Sequence, residues 1–452
     1  GALFRQAGVI RTDTLEELFE VTSLLANQPL PRGRRVGVIS NAGGPAILAV
    51  DALESSGLEV PIFSDALQAA LRKHVMAEAS VRNPVDMIAS AGPDHFRACL
   101  RSMLDSDEID SVIVIYIPTS PGALSGIQDA VSDVVDADSG GKTVLAVYME
   151  AAADSRPALG DAAVRLPTYP FPEPAARALA RAVRYSEWRD RPEGEIVDFP
   201  DVDAGGARSV VETALDRLGE GGWLEPADAE AVLAAYGIRT ARSLSVVTRD
   251  QAVAAAEEIG GPVVVKVIAP SVLHKSDVGG IALGVQGAAA VGEAFDRVTS
   301  VAADATGALI QEFVPGGHEV IIGMTEDDSF GPLIAFGLGG VFVELIGDVA
   351  FRIHPLTDVD AAEMITDVKS ARLLEGYRGS DPGDVESLRE TLLRVSALID
   401  DLPEIAEMDL NPVKVLPPGM GVRVVDLRIR VRRVEDHWLP SRKDIPAAKR
   451  AG

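Results

Sequence analysis

A single cysteine, Cys99, is the whole thiol complement of this 452-residue chain. One thiol cannot build an intrachain disulfide framework, and the scarcity suits a reducing cytoplasm. Cys99 lies in FRACLRSML, which has helical spacing, and reads as a small core residue rather than a nucleophile. Basic residues are also in short supply: 42 Lys and Arg stand against 68 Asp and Glu, a formal net charge of −26. That balance argues against nucleic acid or an anionic membrane over any broad face. It still leaves room for an anion site made of a few lysines and backbone amides. No apolar run reaches the roughly 20 residues of a membrane span. The opening GALFRQAGVIRTDTLEELF lacks an initiating Met and the layout of a secretory signal. It begins as though cut from a longer chain, with a leading Gly of the kind that tag removal leaves.

What the chain does have is apolar content, 47% against 24% charged, which permits large cores. Its length suggests about three domains. Thr14 to Asn27 places Leu15, Leu18, Phe19 and Leu25 at helical spacing, with Asp13 or Thr14 as the cap. QPLPRGRR reads as a linker. VGVI, ending at Ile39, is a strand, and SNAGGPAILAVDALESSGL is a Gly-rich turn followed by a helix. In an open α/β sheet such a turn lies at the carboxyl edge, where ligands bind. Asn41, Gly43 and Gly44 can present amides there, with Pro45 in the first helical turn. Two readings stay open: an anion or CoA-phosphate contact, and a tight turn that only joins two elements. Further strand–helix units follow through NPVDM, SVIVIYIP and TVLAVYM. The alternation predicts a doubly wound, mainly parallel, flavodoxin-like sheet. The acidic, Gly- and Pro-rich stretch 196–206 reads as an interdomain linker.

The second half is organised around PVVVKVIAPSVLHKSDVGG, from Pro262 to Gly280. Its strand is apolar on both sides except for Lys266, whose burial is costly unless it meets an anion. The loop holds His274, Lys275, Gly279 and Gly280, and a second apolar run starts at Ile281. Strand, Gly-rich loop and strand form a hairpin able to close over phosphates with backbone N–H groups. No GK[ST] opens a helix here, so it is not a Walker A loop. The expected ligand is a nucleoside triphosphate.

Two other segments bear on it. Glu407, Asp409 and Asn411 alternate along one predicted strand and so share a face, with Asp426 on the next strand. Their oxygens suit Mg²⁺, which takes few protein ligands and keeps water and phosphate; the plainer alternative is a solvated acidic strand edge. Glu312, Phe313 and Val314 end a strand where backbone groups can meet adenine, and Glu319 can accept from ribose hydroxyls. An imidazole at His274 can take a phosphoryl group or simply donate a hydrogen bond. His318 and His354 read as structural.

These motifs together resemble the ADP-forming acyl-CoA synthetases. The run from Lys266 to GGI is similar to the ATP-grasp half of that family and to the β chain of succinyl-CoA synthetase. GGHEVIIG, DSFGP, FGLGGVFVEL and EMDLNPVKV fit the same family. FRQAGVIRTDTLEELF, SNAGGPAILAVDALESSGL and NPVDM resemble its CoA-ligase region. The likeness runs from about Ala2 to Arg432. It implies residues 1–30 as the tail of an upstream CoA-ligase domain, 31–195 as a flavodoxin-like CoA-ligase domain, 207–433 as an ATP-grasp domain and 434–452 as a loose tail. It implies the cofactors Mg²⁺, ATP/ADP and CoA, and an oligomeric cytoplasmic enzyme. That enzyme interconverts acyl-CoA, ADP and phosphate with a carboxylic acid, CoA and ATP through acyl phosphate and phosphohistidine. Lys266, Lys275, Gly279, Gly280, Glu312 to Val314 and Glu319 would hold ATP. Asp409, Asn411 and Asp426 would hold Mg²⁺, and His274 would accept phosphate. The family's CoA-binding domain and SHTGA-type phosphohistidine loop lie upstream of FRQAG, so they are expected in cis or on a second chain. One alternative is the regulatory ligase-like region of a protein lysine acetyltransferase. Another is a different ATP-grasp carboxylate ligase, which the SNAGGP domain disfavours.

Overall fold

The computed structural model describes residues 2–120, 122–137, 140–149, 166–269, 271, 278–339 and 347–434. They divide into two units, the first Leu3–Arg191 and the second beginning at Pro192.

The first unit opens with α1 (Ala2–Gln6) and α2 (Leu15–Asn27). Thr14 caps α2, its hydroxyl accepting from the Glu17 N–H at 3.2 Å. Then come β1 (Val36–Ser40), α3 (Gly43–Ser55), α4 (Asp65–Arg72), β2 (Val85–Asp86), α5 (Pro93–Leu104) and β3 (Ser111–Tyr116). α6 (Ala123–Ala137), β4 (Thr143–Tyr148), β5 (Thr168–Tyr169) and α7 (Pro172–Asp190) complete it. The strands are parallel in the order β2-β1-β3-β4-β5, the flavodoxin-like arrangement expected. β1, β3 and β4 are buried along their whole length, which is why they read as continuous apolar runs. α2, α3 and α7 cover one face and α4, α5 and α6 the other. Cys99 lies in the second of these layers, and burial pushes its thiol up to about 11, so it is an inert core residue.

Two boundaries differ from expectation. α2 is an integral part of the first unit, because Val21 and Leu24 pack with α3 and α7. The stripe read from spacing, Leu15, Leu18 and Phe19, is exposed instead. The supposed linker is also bound along its length. Val197, Phe199 and Val202 pack against the core of the second unit. The Arg394 guanidinium stacks on Phe199 at 4.3 Å and pairs with Asp201 at 2.9 Å.

The second unit begins with α8 (Ala204–Leu218), β6 (Gly221–Trp223) and α9 (Pro226–Ala235), which has Pro226 in its first turn. β7 (Ser243–Val246), α10 (Arg249–Ile259), β8 (Val263–Ile268), β9 (Ile281–Val285), α11 (Ala288–Thr299) and β10 (Gly307–Glu312) follow. They form a sheet in the order β7-β10-β8-β9, with α10 and α11 on one face. β11 (His318–Asp327), β12 (Gly331–Leu338), β13 (Val349–Ile353), α12 (Asp358–Asp367), α13 (Val385–Asp401), β14 (Ile405–Val415), β15 (Val422–Val424) and β16 (Leu427–Arg432) complete the described chain. A second antiparallel sheet runs β13-β12-β11-β14-β16-β6, with β15 paired to β14. Helices α8, α9, α12 and α13 pack onto it. The expected tail, 434–452, lies outside the described residues beyond Val434.

Candidate functional site

Strand period alone decides the sides of β8. Val263, Val265 and Val267 enter the core beneath α10 and α11, so Lys266 and Val264 lie on the opposite face. Lys266 is nevertheless 5% exposed. A buried ammonium needs partners, and they come from the other sheet. Its Nζ donates to the Val425 carbonyl at 3.1 Å and lies 3.9 Å from an Asp426 carboxylate oxygen. Both residues sit in the turn joining β15 to β16. The two ribbons that carry the lysine and the acids therefore face each other. Lysine and acid are too close for a phosphate chain to lie between them, so a polyphosphate has to run beside the pair.

On β14, Met408, Leu410 and Val413 are buried, while Asp409 and Asn411 are exposed on the other face. The Asn411 N–H donates to the Asp426 carbonyl at 3.0 Å, which ties the two segments together. Partial desolvation of its carboxyl between neighbouring side chains raises the Asp409 pKa; Arg428 opposes, and Asp426 and Glu407 add to the rise. Like charges held close together are what a cation relieves. Glu407 is otherwise engaged, paired with Arg430 at 3.0 Å. Among the described residues no group of three or more His, Cys, Asp or Glu is placed to hold a metal ion. The donors here are two carboxylates and an amide, all hard oxygens. That set fits Mg²⁺ ligated in addition by phosphate and water, and does not fit a self-sufficient protein cage.

β10 pairs with β8 so that Leu309 opposes Lys266 and Gln311 opposes Val264; Gln311 opposes Ser243 of β7 on its other side. At its end, the Glu312 N–H donates to the Arg242 carbonyl and the Phe313 N–H to the Pro262 carbonyl. Val314 is buried with Ala241 and Leu416, and among the described residues its N–H has no hydrogen-bond partner. Of the expected base-contacting amides, Val314 alone is therefore open. Glu319 lies 3.6 Å from Lys414 and is half exposed. Gly279 has φ of 72°, a conformation that favours glycine, and the Gly280 carbonyl accepts from the Val267 N–H at 2.8 Å. His274 and Lys275 lie outside the described residues.

The turn at Asn41 divides its two open readings. The Asn41 side chain is buried, donating to the Ile117 carbonyl and accepting from the Ile117 N–H, both at 2.9 Å. Its side-chain amide thus joins the turn after β1 to the residue after β3. Gly43 and Gly44 open α3, whose cap residue Ala42 supplies no side-chain bond, but an Asp86 carboxylate oxygen stands 2.8 Å from where a Gly43 Cβ would be. His318 and His354 are structural: His318 meets the Asp381 carbonyl at 2.8 Å, and His354 bridges Ser396 and Asp400.

Three residues went unselected by sequence reasoning. Glu230 of α9 accepts from the Ser243 hydroxyl. Burial raises its pKa, opposed by that hydrogen bond and by the charge of Lys266. Arg428 opposes Asp409 in the β14–β16 register. Gln311 shares the Lys266 face. Pairing register brings in Gln311 and Arg428 and the packing of a helix on a strand brings in Glu230, and one sequence carries neither.

A model of the Ligase-CoA domain matches residues 36–164, and one of the ATP-grasp domain matches 217–431. The subunit beta of acetate–CoA ligase [ADP-forming] II from Pyrococcus furiosus is 44% identical over 209 residues, covering 45% of this chain and 89% of that one. The chain belongs to the ADP-forming acid–CoA ligase family. Other ADP-forming ligases match along nearly its full length. One is the 4-hydroxybutyrate–CoA ligase of Nitrosopumilus maritimus, 36% identical over 438 residues, 95% of this chain and 61% of that one. Another is the acetate–CoA ligase I of Archaeoglobus fulgidus, 37% identical over 437 residues, with the same coverage. The chain thus spans about three fifths of the length of these two relatives. Membership in the ADP-forming ligases leaves the acetyltransferase alternative without support.

Proposed function

We propose that this chain supplies the Mg·ATP-binding and CoA-ligase-like portions of an ADP-forming acid–CoA ligase. The reaction in this reading is acyl-CoA + ADP + phosphate ⇌ carboxylic acid + CoA + ATP, through acyl phosphate and phosphohistidine. The observation that carries it is Lys266, buried on a sheet face and aimed at the β15–β16 turn with Asp426. Lys266, Gly279 and Gly280 contact the phosphates together with Lys275. The Val314 N–H, with Glu312 and Phe313 beside it, receives the base, and Glu319 the ribose. Asp409, Asn411 and Asp426 hold Mg²⁺, which neutralises charge on the transferring phosphoryl group. Gly43 and Gly44 present helix-terminal N–H groups to an anion, and His274 accepts the phosphoryl group. The rest of the enzyme comes in cis or from a second chain, as the subunit naming of the Pyrococcus relative supports. Oligomeric assembly and a cytoplasmic setting belong to the same reading. Among the described residues no helix is long and apolar enough to cross a membrane.

Titration calorimetry of the full chain with Mg·ATP tests this. Saturable binding that Lys266→Ala weakens is the expected result. No heat at millimolar nucleotide, with Lys266→Ala indistinguishable from wild type, rejects it. If the complementary domain is then added, His274→Ala should abolish phosphoryl transfer to the chain.

A further inference from the structure

The first unit holds a cavity of about 620 Å³, the size of a small-molecule site. Its lining takes one face of α7: Arg181, Arg184, Tyr185 and Trp188 stand at i, i+3, i+4 and i+7. Arg11 and Arg34 add to that lining from the segments before α2 and β1. The Gly8 backbone, with φ of 68°, lies against the Trp188 indole, whose Nε1 donates to the Gln6 carbonyl at 3.1 Å. The wall is thus fastened to the helix.

The charge of this lining runs against the composition. The chain has 68 acidic residues to 42 basic, yet four arginines face the cavity with one acid, Glu187. Glu187 pairs with Arg34 at 2.5 Å and 3.0 Å. Asp13 lies 3.1 Å from Arg11, and Glu17 accepts from Arg181 at 2.8 Å. Arg184 is exposed, its Nη1 reaching the Ser56 carbonyl at 3.5 Å. A guanidinium carries five N–H donors, so one carboxylate does not exhaust it. Arg181 shows this directly: its Nη1 is buried and has no hydrogen-bond partner among the described residues. At the other end of the stripe the Tyr185 and Trp188 rings lie 5.9 Å apart and near parallel, at 21°. They offer a flat apolar surface. Seven residues separate Arg181 from Trp188, about 10 Å of helix. That is the reach of a nucleotide from its phosphate to the far edge of its base.

We propose that this cavity binds a nucleoside phosphate, with the phosphate on Arg181 and Arg184 and the base against Tyr185 and Trp188. Arginine forks match phosphate oxygens in pairs, and a base stacks on an aromatic side chain through its π-face. The site lies in the first unit and is separate from Lys266 in the second. A free nucleotide and the 3′-phosphoadenosine end of CoA share the chemistry it recognises.

Trp188 is itself the reporter. The other tryptophans are Trp223 and Trp438, so the full chain carrying Trp223→Phe and Trp438→Phe has Trp188 as its only indole. Adenosine, AMP, 3′,5′-ADP and CoA are titrated without Mg²⁺ while its emission is followed. The three phosphate-bearing ligands should quench it saturably, and adenosine should bind at least about tenfold more weakly than AMP. Arg184→Ala, which truncates an exposed side chain, should weaken AMP at least about tenfold with the thermal melt unchanged. Tighter binding of 3′,5′-ADP and CoA than of AMP assigns the CoA end, and the reverse order assigns a free nucleotide; either upholds the site. No quenching at millimolar ligand, adenosine equal to AMP, or AMP binding unaltered by Arg184→Ala overturns it. Lys266→Met should leave the signal as it is. A signal lost in that variant would put the ligand at Lys266 and overturn the second site while sparing the first.

Discussion

The Lys266 ammonium and an Asp426 carboxylate oxygen approach to 3.9 Å, one from the middle of β8 and the other from the turn between β15 and β16. This joins a hairpin in one sheet of the second unit to an acidic turn in the other. The lysine is buried and the acid is partly exposed, so the lysine carries the larger desolvation cost and depends on its partners. Lys266→Met removes the charge but keeps the volume. Nucleotide affinity should fall at least about tenfold, the scale of a lost hydrogen bond to a charged group. The melting temperature should move by no more than about 3 °C, since the costly charge leaves with its pairing. Calorimetry and a thermal melt on one preparation separate the two effects; a collapse in stability would make Lys266 a structural residue.

Asp409 carries a pKa raised first by partial desolvation of its carboxyl and then by Asp426 and Glu407, against the opposing charge of Arg428. A carboxyl raised on folding contributes stability below its unfolded value, and that contribution is lost as pH rises through the folded value. At neutral pH its charge therefore weighs against the fold until a cation arrives. Asp409→Asn should raise the metal-free melting temperature slightly and flatten its pH dependence above about pH 4. It should also remove the stabilisation that Mg²⁺ gives wild type. An unaltered Mg²⁺ response in the variant would place the ion elsewhere.

Asp384 ties the turn between β14 and β15 to the start of α13. Its carboxylate accepts from the N–H groups of Ser387 at 3.1 Å, Gly419 at 2.8 Å and Gly421 at 2.9 Å. Burial alone would raise its pKa, but these donors outweigh it and the net value is lowered. Such a group contributes stability above its unfolded pKa and loses it as pH falls through the folded value, which here means below about pH 4. Asp384→Ala should cost about 2–3 kcal/mol at pH 7 and remove part of the acid-side slope. Urea melts at pH 3 to 7 check both; an unchanged slope would mean the carboxylate is not held as described.

Asn41 is a structural clasp. Asn41→Ala strands the Ile117 N–H and carbonyl at the carboxyl ends of β1 and β3, and should destabilise the first unit by about 1–3 kcal/mol. Nucleotide binding in the second unit should be unaffected. Retained stability with altered anion binding would restore the side chain to a ligand role.

The sequence by itself determined the two architectures. β1, β3 and β4 are buried on both faces, and a strand of that kind has to be written in continuous apolar residues, so the parallel sheet was legible. Lys266 stood out for the same reason, as one charge in an apolar strand, and the alternation of Asp409 and Asn411 with Met408 and Leu410 gave their shared face. α2 forms where its spacing and its Thr14 cap predict, but an apolar stripe carries no mark of whether a partner covers it, and Val21 and Leu24 rather than Leu15, Leu18 and Phe19 enter the core. The stretch 196–206 looked like a linker by composition, yet Val197, Phe199 and Val202 are packed. What tertiary structure alone decided is which side chains meet. Lys266 meets Val425 between two sheets, Gln311 meets Ser243 by strand pairing, and the Asn41 side chain clasps Ile117, each across a long stretch of chain. Pairing register is set by the packing of whole sheets, which local composition does not encode.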